Sequence, residues 1–148
     1  MATVYLGLGT NLGRKKENLQ KAVEMIQEEI GEVTSLSSFY ETAPWGFESD
    51  NSFLNAVCCV TTHYTPQEVL ARTQQIERKL GRTLKSTDGQ YHDRIIDIDI
   101  LLYDELVLDT PELKIPHPLM TARSFVMDPL QEIAPNLVHP VTKQKLFN

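Results

Sequence analysis

Cysteine is scarce in this chain: there are two, Cys58 and Cys59, and they are neighbours. On a strand, adjacent side chains point to opposite faces, so a disulfide between them would be strained. Two small buried hydrophobes is the simpler reading, and no Cys/His spacing suits zinc. Long apolar runs are missing too, since none approaches the ~20 residues of a membrane span. Met1-Ala2-Thr3-Val4-Tyr5 has no basic segment ahead of its apolar part. No signal peptide is therefore expected, and the cytoplasm is the expected compartment. Positive charge is in deficit, the net charge being −6. That argues against a nucleic-acid binder, which needs a basic face. It leaves room for a small anionic substrate, because local field counts for more than the total. Nothing matches the P-loop, the protein-kinase set or a serine nucleophile elbow. What remains is 148 residues, 41% hydrophobic and 23% charged, which suits one soluble globular domain with a core of useful size.

The most informative stretch is Asp93-Arg94-Ile95-Ile96-Asp97-Ile98-Asp99-Ile100-Leu101-Leu102-Tyr103. Its β-branched content predicts a strand. Alternation puts Ile96, Ile98 and Ile100 on one face and Asp97 and Asp99 on the other, roughly 7 Å apart. An Asp pair on a solvated strand face is the bland alternative. Apolar flanks on both sides make the strand look covered, and buried unpaired carboxylates are costly. A hard divalent cation removes the repulsion, and Mg²⁺ favours one or two carboxylates plus substrate phosphates. Arg82, Lys85, Arg94, His117 and Arg123 cluster in sequence around this strand. Carboxylates beside so many cations suit a polyphosphate site, where catalysis is mostly positioning and charge neutralisation.

Around it, 3–9 predicts a first strand. Gly7-Leu8-Gly9-Thr10-Asn11-Leu12-Gly13 looks like a dinucleotide loop, but no acidic residue closes a second strand ~20 residues on. A turn needing glycine conformations fits better. Periodicity predicts a helix over 14–30, with Leu19, Ala22, Val23, Ile26 and Ile30 inward and Gly31 as C-cap. A second strand is expected over 33–42, and then a loop over 43–51 whose Trp45 either covers a ligand or pins the loop to the core. A third strand is expected over 53–62, where Phe53, Asn55 and Val57 share a face. An aromatic beside an amide could stack on a flat heterocycle and bond its edge, or could be ordinary core packing. Thr65-Pro66-Gln67-Glu68 is a capping box with proline at the first helical position, and Gly81 ends that helix. Gln74 and Glu77 share one of its faces, whether as ligand contacts or as a solvated surface. The polar stretch 82–93 is long for a structureless connection, as active-site lids often are. A short strand is expected at 106–108. Two prolines hold His117 extended, and Asp128 is expected to open a last helix ended by Pro135. The order β-α-β-β-α-β predicts an α+β, ferredoxin-like sandwich: a mixed or antiparallel sheet flanked by helices.

Taken together, Gly9-Thr10-Asn11-Leu12-Gly13, Ser38-Phe39-Tyr40-Glu41-Thr42-Ala43-Pro44, Phe53-Leu54-Asn55-Ala56, Ile76-Glu77 with Gly81-Arg82, the Asp93–Ile100 run, Ile115-Pro116-His117-Pro118 and Arg123-Ser124-Phe125-Val126 resemble the 6-hydroxymethyl-7,8-dihydropterin pyrophosphokinases of folate biosynthesis over nearly the whole chain. The resemblance implies transfer of pyrophosphate from ATP to the pterin's hydroxymethyl group, with release of AMP. It implies two Mg²⁺ ions on Asp97 and Asp99, and Arg82 and Arg94 as transition-state cations. Lys85, His117 and Arg123 would hold phosphates, with Gln74, Glu77 and Ile100 near the nucleotide. The pterin would lie between Phe53 and Phe125, read by Asn55 and the backbone around Thr42, with Pro44 and Trp45 beside it. A monomer with no nucleic-acid or membrane partner is expected. Leu84 stands where many members carry a second loop arginine, and Glu112 and Lys114 differ from the usual residues near the nucleotide. Two other readings rest on the residues alone: a metabolite-sensing domain without catalysis, and a metal-dependent nuclease or phosphatase, which the acidic charge disfavours.

Overall fold

The computed structural model describes residues 1–42, 52–81 and 95–147. A strand β1 (Ala2–Thr10) leads into helix α1 (Lys15–Glu29) and strands β2 (Glu32–Leu36), β3 (Tyr40–Thr42) and β4 (Phe53–Thr62). Helix α2 (Pro66–Gly81), strand β5 (Asp97–Tyr103), the short strands β6 (Leu108–Asp109) and β7 (Lys114–Ile115), a 3₁₀ turn (Met120–Ala122) and helix α3 (Ser124–Ile133) follow. The main sheet runs β2-β4-β1-β5 with β3 paired to β4, and every pairing is antiparallel. With β2 and β3 counted as one broken strand, this is the ferredoxin-like order, and the sheet is antiparallel rather than mixed.

Alternation decides the two faces. Val4, Leu6 and Leu8 of β1, Ala56, Cys58 and Val60 of β4, and Ile98 and Ile100 of β5 point towards α1 and α2, meeting Leu19, Ala22, Ile26, Val69 and Ile76. Each such fully buried aliphatic side chain contributes about 1.5–3 kcal/mol. On the other face Val57, Leu101 and Leu102 meet Val126 and Leu130 of α3. The register on β1 shifts between Tyr5, opposite Leu102, and Leu6, opposite Ile100, leaving Leu101 as the extra residue of a bulge. Cys58 and Cys59 are both free and buried, as expected.

The capping box forms: Thr65 N donates to Glu68 Oε1 at 2.9 Å and Glu68 N to Thr65 Oγ1 at 3.2 Å. Other expectations need correction. The strand expected over 33–42 is broken: Leu36 opposes Cys58 and Tyr40 opposes Asn55, so three residues face two on β4. Buried Ser37 makes the break tolerable to the backbone, because its Oγ accepts from Val57 N at 2.9 Å. Gly31 carries no positive φ; among the described glycines only Gly13 does. Gly31 is needed for space, since a Cβ there would stand 2.0 Å from the Thr61 carbonyl oxygen. Helix α3 begins at Ser124, not Asp128, and contains Pro129. Its N-cap, Arg123, is extended and makes no side-chain cap bond, so the sequence signal for its start was absent. The strand expected at 106–108 is displaced: Leu106 and Val107 are not in a strand, and β6 is Leu108–Asp109, paired with β7 outside the main sheet.

Candidate active site

Helix α3 covers only part of its sheet face. Beyond it, towards the end of β1 that leads into α1, the face is floored by glycine. In register, Gly9 lies between Asn55 on β4 and Asp97 on β5, and Gly7 lies between Val57 and Asp99. A Cβ at position 9 would stand 3.1 Å from Asn55 Oδ1 and 3.7 Å from Phe53 Cδ1. Gly9 therefore keeps a shallow floor between an amide, an aromatic ring and a carboxylate. The expected strand over 3–9 holds both glycines, as β1 does, but in sequence their role reads as serving the following turn; the missed signal was their period of two inside an otherwise apolar strand.

Asp97 and Asp99 share this face, as alternation requires, and both are half-buried. Arg123 reaches in from the start of α3, its Nη1 at 4.0 Å from Asp99 Oδ2, and its side chain is only 11% exposed. That separation gives a Coulombic contact rather than a hydrogen bond. The same guanidinium stands 5.5 Å from the centroid of the Phe125 ring, within cation–π range. Arg123 thus links the acidic pair to an aromatic side chain on α3.

Among the described strands β5 lies at the edge of the sheet, and Glu77 of α2 serves that edge. Its Oε2 accepts from Ile98 N at 2.8 Å. Burial pushes the Glu77 carboxyl up to about 8, against the Ile98 bond, and the neighbouring charge of Asp97 adds to the rise. Glu77 therefore lies beside the acidic pair. Gln74, one turn earlier, is exposed on the helix surface. Ile100 is 4% exposed in the α1–α2 core, so it can offer a ligand only its backbone.

His117 is docked on β5 by its N–H, which donates to the Leu101 carbonyl at 2.9 Å. Its Nδ1 accepts from Leu119 N at 3.2 Å, which leaves Nε2 as the protonated nitrogen of the neutral ring. Burial and the Arg123 charge hold the imidazole below its ordinary range, while Asp97 pulls the other way. Both charges acting on it belong to the site.

On the other side of the glycine floor, Asn55 Nδ2 donates to Thr42 Oγ1 at 2.8 Å across β4 and β3. The bond orients the amide and leaves Oδ1 over Gly9. Phe53 stands at the start of the same strand, opposite Thr42. Just ahead of it, Lys15 Nζ donates to Ser52 O at 3.2 Å and Ser52 Oγ at 3.3 Å. The β1–α1 turn is held by Asn18 Nδ2, which bonds Leu12 O at 2.9 Å and Thr10 Oγ1 at 3.2 Å. The structure thus brings together Asp97, Asp99, Glu77, His117, Arg123, Phe125, Phe53, Asn55 and Thr42. Pro44, Trp45, Arg82, Lys85 and Arg94 lie outside the described residues, as do the two expected loops and Leu84. Lys114 bonds Asp109 on the β6–β7 hairpin.

Residues 5–135 match the family described as 7,8-dihydro-6-hydroxymethylpterin-pyrophosphokinase. The chain is 54% identical over 141 residues to the 2-amino-4-hydroxy-6-hydroxymethyldihydropteridine pyrophosphokinase of Porphyromonas gingivalis, covering 95% of each chain. It is 43% identical over 146 residues to the protein of the same name from Aquifex aeolicus, covering 99% of this chain and 89% of that one. Among solved structures it is similar to Plasmodium falciparum HPPK-DHPS, with a TM-score of 0.77 at 18% identity. That match covers 98% of this chain and 43% of the other, and it supports the fold alone.

Proposed function

We propose, on the premise that this chain belongs to the 7,8-dihydro-6-hydroxymethylpterin-pyrophosphokinase family, that it transfers pyrophosphate from ATP to 6-hydroxymethyl-7,8-dihydropterin. The pterin's hydroxymethyl oxygen forms a bond to the β-phosphorus of ATP, the bond from that phosphorus to the α-phosphate oxygen breaks, and AMP leaves. The hydroxyl proton is lost to solvent or to a neighbouring acceptor. The observation that carries this reading is the single sheet face on which Asp97 and Asp99, a glycine floor and Asn55 stand in register.

The acidic pair suits Mg²⁺. Two half-buried carboxylates on one strand supply the few protein ligands this ion usually takes. Among the described residues no group of three or more His, Cys, Asp or Glu side chains forms a complete cage. A site that leaves most positions to water and phosphate oxygens fits that donor set. Mg²⁺ held by Asp97 and Asp99 would neutralise phosphate charge and lower the pKa of a coordinated hydroxyl.

The remaining work falls to the protein's own groups. Arg123, fixed between Asp99 and Phe125, is placed to hold a phosphate near the acidic pair. His117 offers Nε2–H from a backbone-anchored ring. Phe53 and Phe125 would flank the flat ring, and Asn55 would read its edge with the amide that Thr42 orients. Glu77 orders the edge of the metal-binding strand from behind, with Gln74 and the Ile100 backbone nearby. Arg82 and Arg94 as transition-state cations, Lys85 as a phosphate holder, and Pro44 and Trp45 at the ring follow from the family resemblance. We further propose a single-domain, monomeric, cytoplasmic enzyme without nucleic-acid or membrane partners; among the described residues no helix is long and apolar enough to cross a membrane.

The test is a product assay with ATP, Mg²⁺ and the hydroxymethyl pterin. AMP together with the pterin pyrophosphate is the expected outcome. ADP, or pterin binding without nucleotide turnover, would overturn the proposal.

A further inference from the structure

The carboxylate of Glu132 lies at the far end of α3 from the candidate site, yet it makes four polar contacts with described residues. It accepts from Ser38 N at 3.1 and 3.0 Å, from Ser38 Oγ at 2.9 Å and from Tyr40 Oη at 2.6 Å. Ser38 lies in the break between β2 and β3, and Tyr40 is the first residue of β3. Three backbone residues opposing two on β4 give this segment an extra residue and local freedom to bend. Ser37 ties the break to Val57 on one side, and Glu132 ties the residues after it to α3 on the other.

Helical spacing connects this staple to the site. Glu132 and Phe125 are seven residues apart, so they lie on one face of α3, about 10 Å apart along its axis. Two residues after Tyr40 comes Thr42, whose Oγ1 receives the Asn55 amide. Glu132 therefore couples the helix carrying Phe125 to the strand that orients Asn55. Packing of Val126 and Leu130 against Val57 holds α3 on the sheet, but such apolar contact resists sliding and rotation weakly. Arg123 anchors the near end through Asp99, and the directional Glu132 bonds fix the far end.

We propose that Glu132 is a positioning residue for the flat heterocyclic substrate: it sets the width and tilt of the slot between α3 and the β3–β4 pair. The inference rests on the function proposed above, and it adds a specificity determinant that touches neither substrate. Arg123, at the start of α3, keeps its own contact with Asp99 when the staple is lost, so the nucleotide side should feel the loss much less than the pterin side.

Steady-state kinetics of Glu132→Ala, Glu132→Gln and Tyr40→Phe separate the possibilities. Glu132→Ala should raise KM for the pterin on the order of fivefold, the scale of losing charge-assisted hydrogen bonds that orient a wall. KM for ATP and kcat should stay within about twofold of wild type. Glu132→Gln keeps one acceptor oxygen and should recover part of the pterin KM, and Tyr40→Phe should show a smaller effect of the same kind. An equal rise in both KM values, or a lower melting temperature with unchanged KM, overturns the inference while leaving the enzyme reading intact. A wild-type protein that releases no AMP with this substrate pair overturns the enzyme reading and the inference with it.

Discussion

Replacing Gly9 by alanine adds one methyl group to the floor of the proposed ring slot. Gly9 does not have a positive φ, so the backbone accepts the change. The new Cβ would stand 3.1 Å from Asn55 Oδ1, where comfortable contacts begin at 3.4 Å. The carboxamide must retreat by a few tenths of an ångström. Its Nδ2 is already bonded to Thr42 Oγ1 at 2.8 Å, so the retreat strains or breaks that bond. Weakening one such bond is worth about 1 kcal/mol, or roughly a fivefold loss in pterin affinity. Folding stability should hardly change, because removing glycine freedom from the unfolded chain gains about 0.4–1 kcal/mol and offsets the crowding. Gly7→Ala is the control: the three atoms nearest its Cβ would be Leu101 side-chain carbons at 3.4–3.6 Å, an ordinary contact. Pterin binding measured by fluorescence, beside the melting temperature, reads both quantities. Wild-type affinity in Gly9→Ala, or the same loss in Gly7→Ala, would show that the slot does not lie over Gly9.

Other expectations follow from named contacts. Asp97→Ala should lower turnover by at least about a hundredfold, the scale of removing a preorganised charge from a transition state, with an unchanged circular dichroism spectrum; near-normal AMP release would refute the metal assignment. Gly31→Ala forces a Cβ to within 2.0 Å of the Thr61 carbonyl oxygen. It should cost about 3 kcal/mol, lowering the melting temperature by roughly 6–12 °C, and a change under about 2 °C would count against so close an approach of α1's end to β4. Thr65→Ala removes half of a capping box and should cost about 1 kcal/mol in urea unfolding. Glu132 is held below its ordinary value of 4.5, first by the Tyr40 hydroxyl and then by Ser38 N–H. A depressed carboxyl contributes stability in full above that value and loses it as pH falls through the lower folded one. Glu132→Gln should therefore show a shallower loss of stability below pH 4.5 than wild type, and parallel acid-unfolding curves would refute this.

Local rules were written legibly in the sequence wherever a short-range pattern had one structural solution. The alternation of Asp97, Ile98, Asp99 and Ile100 determined which face holds the carboxylates, because strand side chains have a period of two. Thr65-Pro66-Gln67-Glu68 determined a helix start to the residue, because the capping bonds close within three positions. The family motifs carried the functional reading, since few chains combine them. What only the tertiary structure decided are the matters of distance between segments remote in sequence. Gly31 looks like a helix cap until Thr61 is brought against it. Gly7 and Gly9, at the end of the expected strand, look like preparation for the turn until Asn55 and the acidic strand flank them. Helix α3 has no start signal of its own, because the sheet beneath Val126 and Leu130 holds it rather than a cap. Glu132 reads as a surface charge in sequence, and its three donors lie more than ninety residues away along the chain. Excluded volume and directional bonds act through space, and no periodicity along the chain encodes them.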